Sequence, residues 1–145
     1  MRMLWSFAIV VLVLLAACTA GPEPTATQDP GVDGGFAYGE APVDSIQLLI
    51  MESFPVQVNA IVSGNLPDGC TEIDSWDQVL EGQEIRVTLT TRRPRNVMCT
   101  EALVPYEQTV SLDVLGLPAG EYTVRVNGVA ADQPLEFTVD NAISE

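Results

Sequence analysis

The ionisable side chains of this sequence restrict the chemistry that it could perform. It contains 20 Asp and Glu residues, six arginines, and neither histidine nor lysine. A Ser-His-Asp or Cys-His nucleophile needs an imidazole, and a Ser-Lys nucleophile needs a lysine, so these classes of enzyme are excluded. Paired carboxylates of the glycosidase type remain available, but no motif selects one pair among the acids. We therefore expect no catalytic residues and no cofactor, with a carboxylate-based hydrolase as the weaker alternative.

Three of the arginines lie within four residues, in Arg92-Arg93-Pro94-Arg95. Pro94 is expected to end a strand there, because proline cannot donate to a sheet ladder. One interpretation is a turn whose arginines pair with nearby acids such as Glu101 or Glu107. The other is a positive patch on an acidic domain, which would bind a protein or a small anionic ligand through bidentate contacts. Six arginines cannot form the basic stripe of a nucleic-acid-binding protein, so that class is excluded.

Acidic residues crowd the segment from Asp68 to Asp77, which also contains Glu72, Asp74 and Trp76. Oxygen-rich loops can hold calcium, although this spacing does not match the EF-hand pattern. We therefore predict a solvated acidic loop tied down by Cys70 and no metal site, with calcium binding as the alternative. Trp76 is either an anchor of a small satellite core or an exposed platform for a partner.

The N-terminal segment has the composition of a cleaved leader. Residues 4–17 are apolar except for Ser6, and they follow a single positive charge at Arg2. This run is shorter than the ~20 residues that a membrane-spanning helix needs, and it fits the hydrophobic region of a signal peptide. Residues 1–17 are therefore predicted to be a signal peptide.

The end of this run, Leu15-Ala16-Ala17-Cys18, resembles the lipobox of bacterial lipoprotein precursors. The resemblance implies that the Cys18 thiol receives a diacylglycerol, that the signal is cut before it, and that the new amino group is acylated, for example with palmitate. Thr19 would permit sorting to the outer membrane of a double-membraned host. The predicted location is the cell membrane or the outer membrane, with the domain facing the periplasm or exterior. The alternative is an ordinary signal peptide with a cysteine near its cleavage site.

Residues 18–42 are rich in Pro, Gly, Thr and acids, a composition that cannot bury a core, so we predict a flexible tether there. Phe36 and Tyr38 within it either make incidental contacts or mark a segment that docks on the domain. Once Cys18 is lipidated, Cys70 and Cys99 form an even pair in an exported domain, and we predict a disulfide between them. A metal site lacks further ligands and a reactive thiol lacks a neighbouring base.

From residue 43 onward apolar and polar residues alternate with a period of two, which predicts half-buried strands packed as two sheets. The alternating positions include Ile46 to Ile50, Val56 to Val62, Ile85 to Leu89, Val110 to Val114, Tyr122 to Val126, and Leu135 to Val139. We predict an immunoglobulin-like antiparallel β-sandwich of about seven strands over residues 43–145. Asn127-Gly128 predicts a turn, with residues 129–134 indicating a connection longer than the minimal hairpin.

The segment LPAGEYTV, residues 117–124, resembles the loop-to-strand entry of secreted β-sandwich modules, which implies a corner role for Tyr122. Residues 46–139 as a whole resemble small secreted bacterial domains of uncharacterised role that pair GCTE with a later MCT. We expect a cell-envelope lipoprotein whose sandwich binds a partner or serves a structural role. An inhibitor of an envelope or extracellular protease, presenting a loop such as residues 92–98, is the alternative.

Overall fold

The computed structural model describes residues 32–33 and 35–143, and the described residues form ten β-strands and no helix. The strands are β1 (Val32–Asp33), β2 (Phe36–Glu40), β3 (Ser45–Ile50), β4 (Val58–Leu66), β5 (Glu72–Glu81), β6 (Glu84–Pro94), β7 (Val104–Leu112), β8 (Gly120–Val126), β9 (Val129–Ala130) and β10 (Leu135–Phe137).

Two sheets share one core between them. The smaller sheet has the order β3-β4-β7, and the larger has the order β1-β2-β6-β8-β10, with β5 paired to β6 and β9 paired to β8. Strand β4 shows the alternation most clearly, since every second residue from Val58 to Leu66 is buried. Its buried residues share one core cluster with the inner residues of β6 and β8, including Leu89 and Val124. The predicted β-sandwich is therefore confirmed.

One edge of β6 changes neighbours along its length. Strand β8 runs parallel to β6 over Glu84–Val87, and β2 pairs antiparallel with β6 from Thr90 to Pro94. The side chain of Asn127 fills the junction: its oxygen accepts from the Leu89 amide at 2.9 Å, and its nitrogen donates to the Leu89 and Ala41 carbonyls at 2.8 Å each. At Leu89, where neither β8 nor β2 is paired with β6, the Asn127 side chain supplies hydrogen bonds to the β6 backbone.

A second asparagine fixes the C-terminal segment. Asn141 is 1% exposed, and its side chain bonds to the Val56 amide, the Val56 carbonyl and the Val114 carbonyl. Its backbone also bonds to Gly116 and Leu117. Because every polar atom of its side chain has a partner, the cost of burying an amide is offset.

The turns confirm two local predictions and correct a third. The Tyr122 hydroxyl donates to the Pro118 carbonyl at 3.0 Å, as the corner role implies. Asn127 and Gly128 have φ of 47° and 84°, the combination that a two-residue hairpin turn needs. The longer connection predicted after this turn is wrong, because Val126 pairs directly with Val129.

Three further details of the fold differ from the sequence prediction. The described residues form ten strands where about seven were predicted, and the β6–β8 pair is parallel within a sandwich predicted to be antiparallel. The predicted tether, residues 18–42, extends too far, because β2 lies within it and pairs with β6. Val139 lies beyond the last strand and is 60% exposed.

Candidate interaction surfaces

The arginine cluster lies at the C-terminal end of β6, where its members face different ways. The Arg92 side chain reaches Glu72 at 3.3 Å and Asp74 at 3.6 Å, and its guanidinium lies 5.5 Å from the centroid of the Phe36 ring. These contacts tie β6 to β5 and to β2. Arg92 is 44% exposed as a side chain, so these ion pairs are partly screened by solvent.

Arg93 makes the closest ion pair, with Nε 2.6 Å from a carboxylate oxygen of Asp68. The other oxygen of Asp68 accepts from the amides of Cys70 and Thr71 and from the Thr71 hydroxyl. Partial burial raises the pKa of Asp68, but the hydrogen bonds from Arg93, the two amides and the hydroxyl outweigh it and lower the pKa to about 2. Asp68 thereby holds the turn before β5 against the end of β6.

Arg95 follows the strand and donates from Nε to the Phe36 carbonyl at 3.0 Å. The three arginines thus contact separate parts of the chain and do not converge on one anion site among the described residues. Pairing with acids occurs as the turn interpretation expected, but the acids are Asp68, Glu72 and Asp74, not the suggested Glu101 and Glu107.

The acidic segment is mostly a strand and not a loop. Glu72, Asp74 and Asp77 lie on β5, and the first two are paired with Arg92. In the part of the chain that the structure describes, one group of three potential metal-binding residues lies close together: Asp68, Cys70 and Cys99. The two sulfurs of that cluster are bonded to each other, so they are not available as thiolate ligands.

Cys70 and Cys99 form the predicted disulfide, with Cα atoms 5.6 Å apart. It joins the turn before β5 to the loop between β6 and β7, where the Gly69 amide also donates to the Thr100 carbonyl. That loop, residues 95–103, exposes apolar side chains: Met98 is fully exposed and Leu103 is 69% exposed. The disulfide therefore anchors an exposed apolar loop at one of its residues.

Trp76 lies on β5 at a position that faces the core but is only partly covered. Its register partner on β6 is Leu89, which is 0% exposed, whereas Trp76 is 40% exposed. Leu80 is likewise 45% exposed, opposite a fully buried Ile85. Between them the Gln78 amide group bonds to the Asp113 backbone, donating to its carbonyl and accepting from its N–H. This contact joins β5 to the segment after β7 in the other sheet.

A cleft of about 350 Å³ lies elsewhere, at the end of the smaller sheet. Apolar side chains from the start of β4 and the residues before it, from the end of β7 and the residues after it, and from the C-terminal segment form much of its wall, among them Val56, Leu112, Val114, Leu115 and Ile143. None of the predicted site residues lines it. Reading the sequence did not identify this cleft, because its walls come from segments that are distant in the chain.

The lipidation residue Cys18 lies outside the described residues, as does most of the predicted tether. Across residues 35–143, no helix has the length and apolar character needed to cross a membrane.

Comparison with known proteins identifies the domain. Two proteins of Herpetosiphon aurantiacus, called uncharacterized 10.2 kDa proteins in the HgiBIM and HgiEIM 5' regions, are each 44% identical over 78 residues, which is 54% of this chain and 94% of each relative. A third, in the HgiCIIM 5' region of the same organism, is 35% identical over 88 residues and 93% of its length. No solved structure matches. The model of the ORF11 β-sandwich domain matches residues 60–139, which include most of β4 and all later strands, and the chain therefore belongs to this family.

Proposed function

We propose that this chain is a lipid-anchored protein of the cell envelope whose β-sandwich acts by non-covalent binding and not by catalysis. The observation that carries the proposal is the bond between Cys70 and Cys99. It leaves Cys18, at the end of the apolar leader, as the remaining cysteine of the three. Disulfides persist in oxidising compartments, which agrees with export of the domain.

The two carboxylates whose pKa is clearly shifted, Asp68 and Glu84, are not suited to donate a proton in hydrolysis. A glycosidase needs one carboxylic acid whose pKa is raised, so that it can donate a proton. In the described residues the two acids with a resolved change, Asp68 and Glu84, both have a lowered pKa. Hydrogen bonds from Arg86 and Arg125 lower the pKa of Glu84 against a smaller opposing effect of burial. Turnover of a glycoside panel that is lost on replacing particular acids would contradict this part of the proposal.

Among the residues predicted to bind a partner, Trp76 is the strongest candidate. Its ring is exposed and it makes no hydrogen bond with the described part of the chain. The arginines are occupied by carboxylates and a backbone carbonyl, so an anionic ligand would have to displace those groups. Charge reversal at Arg93 is therefore expected to lower the melting temperature, because it would leave Asp68 beside a like charge.

The lipid anchor is tested by the intact mass of protein purified from the membrane fraction. We expect a chain that begins at Cys18 and carries a diacylglyceryl group and an amide-linked acyl chain. Two or three acyl chains give durable attachment, since each buried CH₂ contributes ~0.8 kcal/mol. The Cys18→Ala variant should leave the membrane fraction. A membrane-bound chain with an unmodified Cys18 would contradict the anchor.

Protease inhibition is a second candidate, favoured by the loop at residues 95–103. Met98 is fully exposed beside the disulfide-bonded Cys99, an arrangement that could present a side chain to a protease pocket. The inhibitory loop predicted at residues 92–98 should instead be assigned to residues 95–103, because Arg92 to Pro94 belong to β6. Nanomolar inhibition of a serine or cysteine protease, lost in Met98→Asp, would support this function, and inhibition unaffected by that change would contradict this site.

A further inference from the structure

Strand β5 offers a long free edge of the larger sheet. It has ten residues, and among the described strands it pairs with β6 alone. Its one irregularity lies between Ile73 and Ser75, so the ladder is regular from Ser75 to Glu81. Proteins usually protect such an edge with charged side chains, Pro or a bulge, because unpaired N–H and C=O groups recruit other strands. Residues 72–81 contain no Pro, and their charged side chains are four carboxylates, which repel other acidic strands but not basic ones.

The other edges differ from β5. The free edge of β7 includes Pro105, which has no N–H to donate. Strand β3 has six residues, and β10 has three. Among the described strands, β5 therefore combines a proline-free edge of ten residues, regular from Ser75 to Glu81, with exposed apolar side chains.

Two chemically distinct faces meet at this edge. The core-facing side carries Trp76 and Leu80, which are only partly covered and remain 40% and 45% exposed. The solvent-facing side carries Asp77 and Glu81 with Val79, 48% exposed, between them. Glu81 pairs with Arg86 at 2.9 Å, whereas Asp77 makes no ion pair with the described residues. A strand added here would place alternate side chains against apolar surface and against carboxylates.

We propose that β5 binds an extended segment of a partner protein as an added strand, and that this segment alternates apolar and basic residues. Its apolar side chains would cover Trp76 and Leu80, and its basic side chains would lie beside Asp77 and Glu81. Main-chain hydrogen bonds supply affinity in this mode, and the alternation supplies specificity. The inference rests on the proposed binding function and names the surface and the partner chemistry.

A second copy of this chain fits the edge poorly. Strand β5 has four acids and no base among its ten residues, and the whole chain has a formal charge of −14. An antiparallel β5–β5 pair would bring acidic strands together, and like charges on adjacent strands are destabilising. Charge complementarity therefore favours a basic partner segment.

The test uses the full chain, purified in detergent micelles, and an acetylated eight-residue peptide of alternating lysine and valine. Titration calorimetry should show binding, and it should be weaker for a peptide of the same composition with its four lysines grouped together. The double variant Trp76→Ser, Leu80→Ser should lose at least tenfold in affinity. Asp77→Lys should lose about threefold or more, since charged partners at an interface steer association and register. The matched control is Glu121→Lys, an exposed acid on β8, and it should bind as the wild type does.

Three results would overturn the inference. The first is no binding of the alternating peptide, and the second is an equal effect of Asp77→Lys and Glu121→Lys, which would indicate attraction to the overall negative charge. The third is a concentration-dependent dimer of the wild-type chain that the double variant abolishes, which would indicate self-pairing. Circular dichroism checks that each variant is folded. A correctly lipidated protein that fails these tests would refute the β5 site and leave the lipid anchor standing.

Discussion

The two sides of β6 show what separates a closed sheet edge from an open one. On one side, β8 and β2 pair with successive parts of the strand, and Asn127 bonds to its backbone between them. On the other side, β5 pairs along nearly the full strand, and no other strand in the described part of the chain lies against its outer edge. Leu89 and Trp76 are register partners across that pair, yet only Leu89 is buried. Pairing with a neighbour therefore does not bury a side chain unless the opposite sheet covers it.

The largest difference between the two sides is expected from truncating these register partners. Leu89→Ala should lower the free energy of unfolding by about 4 kcal/mol, because it leaves a cavity in a closely packed core. Trp76→Ala should lower it by about 2 kcal/mol, since two fifths of this side chain is already in water. Urea denaturation measures both variants. Equal losses would contradict the described difference in burial.

Breaking the disulfide should have a slightly smaller effect. The bridge joins residues 29 apart in sequence, and in the chain-entropy model such a loop contributes about 3–4 kcal/mol. The double variant Cys70→Ser, Cys99→Ser should lose this amount in urea denaturation, and reductant should then have no further effect on it. A variant as stable as the oxidised wild type would show that the bridge does not constrain the unfolded chain.

Removing the Asn127 side chain should weaken the hydrogen bonding of β6 to β2 and β8 at their junction. Asn127→Ala leaves the Leu89 amide and the Ala41 carbonyl without their partner, and we expect a loss of about 3 kcal/mol. Asn127→Gly is the matched control, because it removes the same bonds but tolerates the φ of 47°. The alanine variant should therefore be the less stable of the two. If both were as stable as the wild type, the junction would not depend on this side chain.

Acid should weaken the attachment of the β4–β5 turn before it affects the core. The pKa of Asp68 is about 2 in the folded chain, against an ordinary value of 3.8. A lowered folded pKa gives stability that is present above the unfolded pKa and is lost as the pH falls through the folded one. The melting temperature of the wild type should therefore fall between roughly pH 5 and pH 2.

Two variants isolate this effect. Asp68→Asn should show a shallower fall over the same pH range, because it has no proton to gain. Asp132→Asn, at an exposed loop position, should follow the wild type. Parallel curves for Asp68→Asn and the wild type would contradict the role given to the Arg93 pair.

The sequence predicted the parts of the fold that depend on local patterns. Alternation from Val58 to Val62, the corner at Tyr122 and the pairing of Cys70 with Cys99 are all present. Strand β2 was missed because Gly39 and Glu40 give it the composition of a tether. It forms because β8 leaves the C-terminal half of β6 without a neighbour, which is a property of the assembled sheet.

The interaction surfaces were less predictable. Trp76 was identified as a candidate, but its exposure depends on how far the opposite sheet extends, and alternation does not report that distance. The acids that pair with the arginines were predicted at the wrong positions. Arg92 and Arg93 contact residues 20 and 25 positions earlier, across the β5–β6 pair and at the turn before β5. Such contacts follow from strand register, which the sequence alone did not fix here.

Hydrogen exchange of the backbone amides, with and without the alternating lysine–valine peptide, tests the central claim most directly. An added strand should slow exchange at residues 75–81 and leave β3 and β10 unchanged, because only the β5 edge gains main-chain hydrogen bonds. Protection at β3 or β10 without any at β5, or protection spread evenly over the domain, would contradict the account.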